Sequence, residues 1–415
     1  MQKLVALFFT LTIMACNSFA DNTRNGDHYS IHYGIDIEPA DSKALITITL
    51  TGKVLPSRVD IHFNSERHSD IKLVDKTSTL KLEDGIAHWQ PEGDKASLSY
   101  RFQINHQRDP GKYDSIITKD WAIMRSDKVI PPIKIRARKG LQSQARLELK
   151  LPSGWSSAMP YEAIGETGNH YRLNDTGRRF IRPKGWLIIG DIASRSDMIA
   201  GVEVRIATPG GQGRRLQDSL AFINWTLPCL RKIFNDFPPR ILIVSADDPM
   251  WRGGLSAPNS LFMHADRPLI SGNRTSSLIH ELIHVGTSIH GTSNSDWIVE
   301  GIAEYYAAEI LHRSGGISEQ RYTQTITRLK RWGEESGTLF TGDSSGPTTA
   351  RAVGIMYAVD QQIRQQSGGK ASLDNVASAL AEKGGRITVR DFVELAEKYA
   401  GGELKALAQI RKQMP

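Results

Sequence analysis

His280-Glu281-Leu282-Ile283-His284, followed at a distance by Glu300, is the part of this chain whose residue types and spacing can do chemistry. On a helix, residues four apart share a face, so His280 and His284 point at one metal ion. Glu281 follows the first ligand, beside the coordination position left open, where it can take a proton from water held by the metal. Glu300 offers a carboxylate from a second helix as third ligand. Three nitrogen or oxygen ligands with one open position describe a catalytic zinc, one Zn2+ per chain, since structural zinc is closed by four protein ligands. One turn beyond Glu300, Glu304 has two readings: acceptor for the outward ring N–H of a ligand histidine, or solvated helical glutamate.

Two helices must position these groups. Asn273 or Thr275 is available to cap the first, and Leu278, Leu282 and Val285 give it a buried face. The stretch 288–295 reads as a turn, with Ser295 or Asp296 capping the second helix. Tyr305 and Tyr306 follow the third ligand and read as core packing. Upstream the pattern is β. Tyr29, Ile31, Tyr33, Ile35 and Ile37 alternate with polar residues, as do Ile46, Ile48 and Leu50, then Leu147, Leu149 and Leu151, and later Val202, Val204 and Ile206. Thr208-Pro209-Gly210-Gly211-Gln212-Gly213 marks the boundary, after which the period turns helical. A helix is expected over 214–237, bent at Pro228, then a strand over 241–244 and a second over 260–263. Gly253-Gly254-Leu255 reads as a loop, and further helices are expected near 318–333, 348–366, 372–383, 390–399 and 402–412. The expected fold is α+β: an N-terminal β-sandwich or saddle over 21–208, then a metal-bearing domain over 209–415 with a helical C-terminal lobe.

The 415 residues carry 40% hydrophobic and 23% charged side chains, an ordinary globular composition with room for two or three domains. A net charge of +7 without clustered Lys and Arg gives no support for nucleic-acid binding. Residues 1–20 read as a secretory signal: Lys3, an apolar stretch from Leu4 to Ala15, then a small-x-small site at Ser18-Phe19-Ala20. Ile13-Met14-Ala15-Cys16 competes with that site as a lipoprotein signal, in which Cys16 would carry a lipid anchor. The chain is therefore expected to be exported, periplasmic or lipid-anchored in a bacterial envelope. Either route leaves Cys229 without a disulfide partner, as a buried and inert thiol.

His280 to His284 together with Trp297-x-x-Glu300-Gly301-x-Ala303-x-Tyr305-Tyr306 resembles the gluzincin metallopeptidases, and within them the glycyl aminopeptidase family. Leu151-Pro152-Ser153-Gly154-Trp155 resembles a segment of that family's β domain. Gly253-Gly254-Leu255 resembles its Gly-Gly-Leu-Glu-His signature. Gly354 through Asp360, Ile363-Arg364, Gly368-Gly369-Lys370 and Ser372 through Val376 resemble its stretch after the metal site. The likeness covers most of 29–412 and implies a thermolysin-like catalytic domain behind a β domain, acting on a peptide or protein substrate, without the family's PDZ module. Gly253, Gly254 and Ser260 are then expected at the substrate, with 260–263 pairing to its backbone if that segment is the sheet edge.

Two departures bear on substrate. The family carboxylate that meets a free amino terminus is replaced here by Ser256, followed by Ala257, which removes a counter-ion for an ammonium group. Aligned on Gly354, the family tyrosine that stabilises the oxyanion becomes Arg351, and Val353 stands where the family has lysine. A guanidinium is a permanently charged donor, so Arg351 is one oxyanion candidate and Tyr357, further along, a second. An active peptidase is one reading. A peptide- or protein-binding envelope protein on a gluzincin scaffold is the other, and the retained Glu281 favours the enzyme.

Overall fold

The computed structural model describes residues 28–174, 178–213 and 215–414. The expected export signal and Cys16 lie outside the described residues. The first half is β, as the alternation predicts. His28–Glu38 buries Tyr29, Ile31, Tyr33, Ile35 and Ile37 on one face, and pairs in parallel with Gln142–Lys150 and antiparallel with Lys43–Thr51. These are the central strands of a seven-stranded sheet; five- and four-stranded sheets complete the β domain around one core. Two buried phenols in that core are satisfied by backbone: Tyr33 donates to Ile181 O at 2.7 Å and Tyr100 to Val129 O at 2.8 Å.

Trp186–Gly190 is buried at every residue because it serves two cores at once. Leu187 and Ile189 face the β-domain core; Trp186 and Ile188 face the next sheet, where they meet Leu242, Val244 and Phe262. That next sheet corrects the boundary expected at 208/209. Its strand order runs Ile192–Ile199, Val202–Pro209, Arg240–Ala246, Ser260–His264 and Gly254–Ala257, so the strand ending at Pro209 already belongs to the second half. The Pro-Gly-rich stretch is a connection inside a unit: it leads from Val202–Pro209 into the crossover helix Leu216–Ile233, and the chain returns in parallel as Arg240–Ala246.

Both faces of this sheet are covered, which explains the unbroken apolar run from Ile241 to Val244. Ile241, Ile243, Leu261 and Met263 face the helices; Leu242 and Val244 face the β domain. Helices follow at Ser277–Thr287, Asp296–Arg313, Glu319–Gly333, Pro347–Gln366, Leu373–Lys383 and Val389–Ala400. The last expected helix is a 3-10 turn over Lys405–Leu407 followed by Ala408–Gln413. Cys229 is a free thiol, partly rather than fully buried. Among the described residues no helix is long and apolar enough to cross a membrane.

Candidate active site

The motif helix, Ser277–Thr287, is built locally. Its cap is Ser276, whose hydroxyl accepts the Ile279 N–H at 3.3 Å, in place of the expected Asn273 or Thr275. Its last turn closes on Ser288 at φ 49°, whose N–H reaches His284 O. Leu278, Ile279, Leu282, Ile283 and Val285 are buried, so the opposite side carries His280 and His284. The ligand helix, Asp296–Arg313, is held differently. It is apolar nearly all round, with Trp297, Ile298, Val299, Ile302, Ala303, Tyr305 and Tyr306 buried, as a helix through the middle of a core must be. Ser295 makes no side-chain cap; its hydroxyl donates instead to Ile387 O at 2.8 Å. At the far end Arg313 donates to both oxygens of Asp374, at 2.7 and 3.0 Å, and Tyr306 adds a third bond. Gly301 lets this helix lie close to Pro347–Gln366: a Cβ there would stand 2.7 Å from that of Ala352.

The short link between the two helices contains a strand where only a turn was expected. Ile289–Gly291 pairs in parallel with Gly385–Ile387 and ties the link to the C-terminal lobe. The result brings three donors together. His280 Nε2 lies 3.1 Å from His284 Nε2 and 3.3 Å from Glu300 Oε2, and His284 Nε2 lies 3.4 Å from Glu300 Oε1. Among the described residues this is the one group of ligating side chains whose donor atoms fall within 4.8 Å of one another. Glu304 Oε2 is 3.0 Å from His280 Nδ1. An ionised carboxylate only accepts, so Nδ1 carries a hydrogen toward Glu304, and with a metal bound Nε2 would turn its lone pair to the ion.

Burial would lower His280, but its hydrogen bonds to Glu300 and Glu304 and the nearby carboxylate charges outweigh that and hold it well above the imidazole range. Burial and the charge of His280 hold His284 down, to about 4. Two imidazole nitrogens and a carboxylate, with an orienting carboxylate behind, fit a three-ligand zinc site. Glu281 is 9% exposed. Burial raises its pKa, against the opposing pull of His280.

Gly254 and Leu255 depart from the expected loop, while Gly253 stays in the bend before the strand. Gly254–Ala257 is a strand at the edge of the second sheet, antiparallel to Ser260–His264. Ser260–Met263 therefore lies inside the sheet. Ser260 is fully buried; its hydroxyl accepts the Trp186 N–H at 2.8 Å and donates to Pro258 O. The substrate-facing edge expected there belongs to Gly254–Ala257. Gly253 packs against Trp251, whose ring a Cβ would strike at 1.8 Å. Trp251 is in turn held by the β domain: Arg108 lies 4.6 Å over its ring, and Trp251 N–H donates to Tyr113 O. Lys112 adds a 2.6 Å bond to Asp248. A hairpin of the first domain thus fixes the loop that feeds the edge strand.

Arg351 and Tyr357 sit on Pro347–Gln366, against the neighbouring helix Glu319–Gly333. Arg351 Nη1 donates to Ser336 O at 3.1 Å, and Lys330 Nζ lies 4.1 Å over the Tyr357 ring. No hydrogen bond joins either to the histidine–glutamate cluster among the described residues.

No protein-family model matches the sequence, and no curated protein does. Solved structures do resemble the chain. An aminopeptidase N family protein from Idiomarina loihiensis superposes with a TM-score of 0.62 at 15% identity, over 93% of this chain and 73% of that one. An M1 zinc metallopeptidase from Deinococcus radiodurans gives 0.57 at 13% identity, over 94% of each chain. A mutant of an M1 zinc metallopeptidase from that organism, bound to a Tyr-Ser-Ala substrate, gives 0.58 at 14%, over 94% of this chain and 95% of that one. The chain has the fold of the M1 zinc metallopeptidases.

Proposed function

We propose that this chain is an exported zinc peptidase that hydrolyses peptide bonds with Glu281 as general base. The observation that carries the reading is the convergence of His280, His284 and Glu300 within 4.8 Å, with buried Glu281 between them and an unpaired sheet edge. Zinc held by those three side chains would polarise the scissile carbonyl and bring the pKa of its water to about 7. Glu281 takes a proton from the attacking water and delivers it to the leaving amine. Gly254–Ala257 offers its free edge to an extended peptide backbone. Glu304 holds the His280 ring in register. Arg351 is the proposed oxyanion donor and Tyr357 the alternative; either must exchange its present neighbour for the substrate.

The Deinococcus structure with a bound tripeptide supports a peptide as substrate class. The glycyl aminopeptidase likeness rests on the sequence stretches alone. With Ser256 in place of that family's carboxylate, an ammonium group loses that counter-ion on the edge strand, so the positions of the cuts decide between terminal and internal bonds. Export rests on residues 1–20, and intact-mass analysis of secreted protein distinguishes free from lipidated Cys16. The second reading is a peptide-binding protein, favoured by the engagement of Arg351 with Ser336. A diverse peptide mixture incubated with zinc-loaded protein, with cuts mapped by mass spectrometry, decides between them. Cuts absent from Glu281→Gln establish the peptidase; none across the mixture favours the binder.

A further inference from the structure

The sequence has no long basic run, but the fold brings two short ones together at one end of the seven-stranded sheet. Ile133–Arg136 is the edge of the four-stranded sheet. Its Ile133 and Ile135 pack on the β-domain core, which leaves Lys134 and Arg136 exposed on the outer side. The chain then passes through exposed Arg138 and Lys139 into a turn, closed by Leu141 N–H on Arg138 O at 3.4 Å. Gly140 takes φ 88° in that turn, and nothing stands within 4 Å of a Cβ built on it, so Lys139 lies at an open tip. The second run arrives from a distant part of the chain. Arg179 Nη2 donates to Ala137 O at 2.5 Å and to Arg138 O at 2.8 Å, with exposed Arg178 beside it. Neither 128–147 nor 178–190 contains an acidic residue. Asp60, opposite Lys134 across the ladder, is held by Arg58 Nε and His88 Nδ1, each at 2.6 Å.

This patch adjoins the point where the chain enters the domain. His28, the first described residue, pairs with Gln142, three residues past Lys139, and Tyr29 Oη donates to Arg179 O at 2.7 Å. Residues 17–27 separate Cys16 from this strand, a length that spans at most about 40 Å. We propose that Lys134, Arg136, Arg138, Lys139, Arg178 and Arg179 form a docking face for an anionic phospholipid surface, beside the segment that follows the export signal. The docking rests on the export reading for its setting, though not for its geometry. Guanidinium and ammonium groups meet lipid phosphates in charge-assisted hydrogen bonds, each adding a modest attraction that sums over the patch. An acyl chain on Cys16 would supply a second attachment close by, and two such signals together hold a protein where one alone exchanges freely.

The test is co-sedimentation of the exported, processed chain with vesicles of equal parts phosphatidylglycerol and phosphatidylcholine, against phosphatidylcholine alone. Wild type is expected to prefer the anionic vesicles and to lose that preference as sodium chloride rises from about 0.05 to about 0.5 M. The triple variant Arg136→Gln, Arg138→Gln, Lys139→Gln is expected to bind them roughly 100-fold more weakly, about 5-fold per cation. A second triple, Lys370→Gln, Arg390→Gln, Lys412→Gln, removes the same charge from exposed positions in the helical lobe. It is expected to bind within about twofold of wild type, since charges beyond a Debye length from the docked face are screened. Urea unfolding of both variants is expected at the wild-type midpoint, because every changed side chain is exposed. Equal binding of wild type and the patch variant overturns the proposal. So does an equal loss in the helical-lobe variant, which would reduce the effect to net charge. Binding to duplex DNA without preference for anionic vesicles overturns it in favour of a nucleic-acid face. Should intact mass show an unprocessed chain, the export reading fails, while the same vesicles still decide whether the patch docks.

Discussion

The two helices that carry the candidate ligands solve one positioning problem by opposite means. The motif helix has 11 residues, a side-chain cap, a left-handed final residue and one apolar side. The ligand helix has 18 residues, no side-chain cap and an apolar surface nearly all round, and is fixed by Asp374, Ala352 and the Ile289–Gly291 pairing. The first is specified by its own sequence. The second is specified by what surrounds it, so its contribution to the site is more exposed to distant change.

Four substitutions sharpen or break that contrast. Glu281→Gln on the motif helix has the largest expected effect, a loss of about 10²- to 10⁴-fold in peptide cleavage with zinc retained, read by kinetics and metal analysis. A zinc-loaded mutant of undiminished rate would remove Glu281 from the chemistry. On the ligand helix, Glu304→Ala is expected to weaken zinc binding about 10- to 100-fold, because the His280 ring loses its orienting acceptor; competition with a chromogenic chelator measures it. Gly301→Ala comes next. The added methyl must fit where only 2.7 Å separates it from Ala352, and a net loss of about 1–3 kcal/mol in urea unfolding is expected despite the better helix former. Ser276→Ala removes the motif-helix cap and is expected to cost about 1 kcal/mol. If Gly301→Ala proved milder than Ser276→Ala, the contrast between locally and externally held helices would fail.

The same contrast explains what the sequence could show. His280, Glu281 and His284 are legible because four-residue spacing is a property of one helix, and Glu300 because the next helix begins a short turn later. Their support is not legible. The cap fell to Ser276 because three neighbouring polar residues were all chemically competent, and only the entry angle of the chain chooses among them. Gly254–Ala257 looked like a loop because two glycines weaken any strand signal, yet Gly254 is small because Glu281 lies against it. Ser260 looked like an edge because nothing in sequence orders strands within a sheet. The division at 208/209 followed a cluster of turn residues, whereas hydrogen bonding had already begun the second sheet at Ile192. Local period was readable; the order of neighbours was not.

Trp186–Gly190, buried on both faces, has a consequence for how the chain can be cut. Leu187 and Ile189 pack in the β-domain core. Trp186 and Ile188 form the apolar surface against which Leu242, Val244 and Phe262 pack. A truncation that starts after Gly190 would deliver every candidate ligand and still lack the surface on which their sheet is laid down.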